Sequence, residues 1–74
     1  MNMRDYIVSR AKELGIEELV YRADRKIVLK LTDYKTAEGY LVYFGDKKVH
    51  FFTGDDFKAI GYSRIKDIYQ EGAW

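Results

Sequence analysis

The chain has 74 residues, with 13 basic and 12 acidic side chains, a net charge of +1 and no cysteine. That length fits a single domain. The absence of cysteine excludes disulfides and thiolate metal sites, and the near-zero charge excludes a global basic field that would draw in nucleic acid. A core this small supplies only about 3–5 kcal/mol and usually needs a staple. With one histidine, a multi-His metal site within one chain is excluded too, which leaves oligomerisation. Aromatics make up 16% of the residues, seven of them Tyr, more apolar surface than one small core hides; Tyr suits surfaces that are apolar on one side and wet on the other. No apolar run reaches the roughly 20 residues that span a membrane, and the N-terminus lacks the apolar stretch of a secretory signal. The expectation is a soluble, cytoplasmic protein without cofactor, metal or membrane partner.

In chain order, "NMRDYIVSRAKELG" predicts a helix over about 2–14. Asn2 caps it, Asp5 suits its positive end, and Met3, Tyr6, Ile7, Ala11 and Leu14 fall on one stripe. Gly15 is a C-terminal stop. Residues 16–24 read equally as more helix or as a strand. From Arg25 the pattern changes to strands. "KIVLKL" is the first, and Thr32-Asp33-Tyr34-Lys35 turns the chain. "AEGYLVYF" is the second, with Gly39 inside it as the mark of a sharp bend. Gly45-Asp46 is a tight turn. "KVHFFT" is the third strand, Gly54-Asp55-Asp56 a turn, "FKAIGY" the fourth strand, Ser63-Arg64 a break and "IKDIY" a short fifth. The tail "QEGAW" reads as loose, with Trp74 available to dock on a neighbour. Short consecutive strands with a bent second strand predict a mainly β, small, closed, strongly bent five-stranded antiparallel barrel over about 25–69.

This order, with a glycine bend in the second strand and a break before the fifth, resembles the Sm-like family, which includes the Sm and LSm proteins and bacterial Hfq. The family's first motif corresponds to "IVLKLTDYKTAEGYLVYFGDKKVHFF", with Gly39, Leu41 and Phe44, then Asp46 one residue later than usual because of Gly45. The second corresponds to "IGYSRI", Ile60 to Ile65. Two departures stand out. An Arg-Gly pair in Sm and LSm proteins, and a basic residue in Hfq, stand where this chain has Gly61-Tyr62. The base-binding Asn position holds His50, and the stacking position before it holds Lys48.

The resemblance implies a homo-oligomeric ring, closed by pairing the fourth strand of one subunit with the fifth of the next. It also implies binding of single-stranded RNA, in the manner of a regulatory RNA chaperone. The residues it points to are Lys48, His50, Tyr62 and Arg64. His50 would hydrogen-bond or stack on a base, against a plain surface or structural role. Tyr62 would be a stacking platform, against simple packing. Lys48 and Arg64 would hold phosphates, with Lys47-Lys48 forming a collar of charge around a pore; otherwise they are a solvated hairpin tip and an ion-pair partner of Asp67 or Glu71. Arg4, Arg10 and Lys12 on the outer helix face could track phosphates.

Two other readings compete. One is an SH3-like protein-interaction module without RNA activity; the small size and balanced charge suit a phage-encoded regulator. The other is an enzyme, ranked last because no acid, base and nucleophile come together. Asp55 and Asp56 are adjacent, and neighbouring strand residues point to opposite faces, so they read as turn residues and no catalytic residue is assigned.

Overall fold

The structure, a computed structural model, describes residues 2–72, so the expectation for Trp74 lies outside the described residues. The chain is mainly β with one N-terminal helix. Helix α1 spans Met3–Glu13 and is followed by six strands: β1 Arg25–Leu31, β2 Thr36–Gly39, β3 Leu41–Phe44, β4 Lys48–Phe52, β5 Phe57–Gly61 and β6 Ile65–Gly72. A single 3₁₀ turn, Tyr62–Arg64, joins β5 to β6. The strands form two three-stranded antiparallel sheets, ordered β2-β1-β6 and β3-β4-β5. A closed five-stranded barrel is not what these ladders form.

The difference arises in the second expected strand, which is broken at Tyr40 into β2 and β3. Gly39 makes the break tight. A Cβ there would sit 2.8 Å from the carbonyl oxygen of Phe52 and 3.0 Å from the Phe51 ring, and the Tyr40 N–H donates to that same carbonyl at 2.8 Å. One strand thereby leaves β1 and crosses to β4, so the two sheets share a continuous chain at this corner.

Helix α1 begins as its sequence predicts, with Asn2 Oδ1 accepting from the Asp5 N–H at 2.8 Å. Its apolar stripe is narrower than predicted. Ile7 and Ala11 are buried, and Val8 and Leu14 pack against the core, whereas Met3 and Tyr6 are exposed. Two of the three basic residues of the outer helix face are engaged with the protein. Arg4 Nε donates to the Gly45 carbonyl, and Arg10 pairs with Glu13 and Asp67.

The core lies between the sheets and under the helix. Ile7 and Ala11 meet Ile27, Leu29 and Leu31 of β1, Val42 and Phe44 of β3, Val49 and Phe51 of β4, and Ile65 and Ile68 of β6. In β3 and β4 the residues alternate inward and outward, as in a half-buried sheet, whereas β1 buries Ile27, Val28 and Leu29 in succession.

Residues 16–24 are neither helix nor strand. They cover the edge of β3 that β4 leaves open. Leu19 N–H donates to the Val42 carbonyl at 2.9 Å, Arg22 N–H to the Tyr40 carbonyl at 3.2 Å, and Phe44 N–H to Glu18 Oε1 at 3.0 Å. An irregular segment thus satisfies a strand edge that would otherwise be a template for pairing. The fifth expected strand is longer than predicted: β6 pairs with β1 as far as Gly72, so Gln70 to Gly72 are not loose.

Candidate functional site: the outer face of the β3-β4-β5 sheet

Alternation puts Val42, Phe44, Val49 and Phe51 in the core. Their neighbours in sequence therefore face out. The register then sets the outward residues in rows. Tyr43, His50 and Ala59 lie side by side, and Leu41, Phe52 and Phe57 form the next row. Lys48 lies opposite Gly61 in a third row, at the β3–β4 turn.

The rings on this face touch. Tyr43 and His50 have centroids 6.0 Å apart, Phe52 and Phe57 4.8 Å, all in tilted arrangements. Tyr21, from the segment that covers β3, adds its ring 6.1 Å from Phe52 and 6.2 Å from Tyr40. Phe57 is 77% exposed, Tyr21 52% and Tyr43 45%. Exposed rings in adjacent rows make this face the candidate site. Beside it, the Arg22 guanidinium holds the Asp24 carboxyl below its usual range through a hydrogen bond.

The β3–β4 turn gives the face a basic end. Gly45 N–H donates to the Lys48 carbonyl at 2.9 Å, closing the turn. A Cβ on Gly45 would lie 2.9 Å from that carbonyl and 3.2 Å from His50 Nε2. The glycine lets the imidazole lie against the turn, between Tyr43 and the lysines. Lys47 and Lys48 form no ion pair among the described residues.

Of the four residues singled out in the sequence, Lys48 and His50 share this face and are exposed. Tyr62 does not join them. It is 6% exposed and belongs to the core, with its hydroxyl donating to the Gly45 carbonyl at 2.7 Å. Burial pushes its phenol above the usual value, against the pull of Arg4. A ring enclosed in this way has no free face for a base, so the packing role weighed for Tyr62 is the one that fits. Arg64 is exposed on the 3₁₀ turn. That turn lies between two others: Tyr62 N–H donates to the Lys47 carbonyl, and Thr32 N–H donates to the Arg64 carbonyl. Arg64 pairs with neither Asp67 nor Glu71; Asp67 is held by Arg10. Asp55 and Asp56 are turn residues, with Asp56 bonded to Thr53 and to the Phe57 N–H.

The chain matches no family model, no curated protein and no solved structure.

The sequence reading missed Tyr21, Tyr43, Phe52 and Phe57. A signal for two of them, Tyr43 and Phe52, was present. Period-two alternation in "LVYF" and "KVHFF" places Tyr43 and Phe52 outside, whereas the pairing of Tyr43 with His50 follows from a turn centred on Asp46-Lys47, where Gly45 N–H donates to the Lys48 carbonyl. Tyr21 had no such signal, because its segment has no regular period. Among the described residues, no three acidic or histidine side chains come together to hold a metal, and no helix is long and apolar enough to cross a membrane.

Proposed function

We propose that the outer face of the β3-β4-β5 sheet is a platform for single-stranded RNA. The observation that carries this reading is the exposed ring pair of Tyr43 and His50, 6.0 Å apart, with Lys48 in the adjoining row. Bases stack on flat side chains with little regard to sequence, and a lysine at the end of the row neutralises phosphate. In this reading the bent β2–β3 strand and the two sheets are an open form of the Sm-like barrel, and the chain is a divergent, Hfq-like member of that family. The edges of β5 and β6 that have no partner strand among the described residues join subunits head to tail into a ring, which repeats the Lys47-Lys48 tip around its axis. The test is binding of a short uridine- or adenine-rich RNA at low salt, with native mass spectrometry of nuclease-treated protein to count subunits. A complex of several subunits that binds RNA supports the reading. Intact assemblies that bind no RNA refute it.

A second reading is favoured by a different observation. Phe57, 77% exposed, opens β5, whose far edge has no partner strand among the described residues. An extended segment of another protein could pair with that edge and cover the ring. This is the protein-interaction module, and a monomer with no RNA affinity would select it.

A further inference from the structure

A second cleft lies on the other sheet. It measures about 250 Å³ and is lined by Lys30, Leu31, Tyr34, Lys35, Thr36 and Lys66. These residues come from three places: the end of β1, the β1–β2 turn with the start of β2, and the beginning of β6. The β1–β6 register slips between Lys30 and Leu31, which leaves Lys66 without a Cα partner on β1.

Three of the six lining residues carry ammonium groups, and none of the three forms an ion pair among the described residues. Two acids on this sheet are committed elsewhere: Glu38 pairs with Lys26 at 3.5 Å, and Asp67 with Arg10. Asp67 is the Cα partner of Lys30, but its Oδ1 lies 3.7 Å from Arg10 Nε and accepts from the Tyr6 hydroxyl at 3.4 Å. Lys30 instead holds its ammonium 5.4 Å from the centre of the Tyr69 ring, a contact that orients the charge without neutralising it. Asp33 is the acid within the turn, and its Oδ1 accepts from the Lys35 N–H at 3.1 Å. Three positive groups and one carboxylate leave an excess of about two charges, the complement of a phosphate monoester near neutral pH.

Tyr34 adds a flat surface. It is 94% exposed and has a φ of 68°, in the left-handed region that a bulky residue seldom adopts. Glycine or asparagine would fill that turn position without strain. A tyrosine there holds its ring at the rim of the cationic cleft.

We propose that this cleft binds a nucleoside phosphate. The phosphate sits among Lys30, Lys35 and Lys66, with the Thr36 hydroxyl as a further donor, and the base lies against Tyr34. The site shares no residue with the aromatic platform, so either can fail without the other. The same chemistry can come from a free mononucleotide or from the 5′ end of a strand.

Calorimetry at low salt, with adenosine monophosphate, adenosine and inorganic phosphate as probes, tests the proposal. The monophosphate should bind at least tenfold more tightly than either control. K35E and K66E should each weaken it at least tenfold, whereas K48A should leave it unchanged. Because both reversed residues are exposed, amide spectra of the variants should retain the wild-type pattern, and in the wild-type protein the signals of Tyr34, Lys35 and Lys66 should move on addition of the monophosphate. Tighter binding of a 5′-phosphorylated RNA than of its 5′-hydroxyl twin identifies a strand end as the source; equal binding of the two, with the monophosphate still bound, identifies the free nucleotide. The proposal is overturned if the monophosphate binds no better than adenosine, or if folded K35E and K66E bind it as well as wild type.

Discussion

The hydroxyl of Tyr62 and the carbonyl of Gly45 meet at 2.7 Å, and Arg4 Nε donates to the same oxygen at 3.1 Å. One backbone carbonyl therefore ties together the 3₁₀ turn, the β3–β4 turn and the first turn of the helix. The turn that presents Lys48 and His50 is held from behind by a core residue.

Tyr62→Phe should cost about 0.5–1.5 kcal/mol, the usual range for one hydrogen bond, because Arg4 still satisfies the carbonyl. The pH dependence follows from the raised phenol. The native state holds the proton more tightly than the unfolded chain. This contribution is complete below about pH 10, where the unfolded phenol titrates, and is lost as the pH rises through the higher native value. Denaturant midpoints from pH 8 upward should fall more steeply for wild type than for Tyr62→Phe. Parallel curves would show that the phenol is not coupled to folding.

Gly39→Ala tests the corner between the sheets. The added methyl meets backbone at 2.8 Å, and backbone cannot swing aside as the end of a long side chain can. A loss of about 1–3 kcal/mol is expected, typical of overpacking. Urea denaturation measures it, and an unchanged midpoint would mean that the corner is looser than described.

Helix docking rests on Ile7, which is fully buried, and much less on Tyr6, which is 38% exposed. Ile7→Ala should cost about 2–5 kcal/mol, as for other large-to-small core changes. Tyr6→Ala should cost clearly less. Equal losses for the two variants would contradict the narrow buried stripe of the helix.

The platform reading separates charge from stacking. Lys48→Ala should weaken RNA binding and flatten its dependence on salt, since fewer counterions are released. Tyr43→Ala should weaken binding by roughly 1–3 kcal/mol with the salt slope unchanged. The measurement is a salt titration of each variant by fluorescence anisotropy, with the state of assembly checked first. A slope altered equally by both substitutions would remove stacking from the account.

Much of the chain is legible from local chemistry alone. Asn2 caps a helix because its side chain reaches the Asp5 N–H whatever lies beyond. Gly45-Asp46, Gly54 and the Asp33 turn reverse the chain for reasons contained in a few residues, and alternation in "KVHFF" separates Val49 and Phe51 from Lys48 and His50. Lys48 and His50 are legible as exposed residues for that reason.

The rest depends on contacts between segments distant in sequence. Residues 16–24 take their path from the open edge of β3, which supplies the carbonyls of Val42 and Tyr40; no period within the segment could reveal that. The break at Tyr40 follows from how closely Gly39 approaches Phe52. Tyr62 reads in sequence as a polar-tipped aromatic next to a serine and an arginine. It is buried because Gly45, far back along the chain, offers its hydroxyl an acceptor inside the fold, and a buried polar tip needs such a partner. Periodicity decides which way a side chain faces within its own strand, whereas the rows of Tyr43 with His50 and Phe52 with Phe57 exist only once β3, β4 and β5 are laid in register.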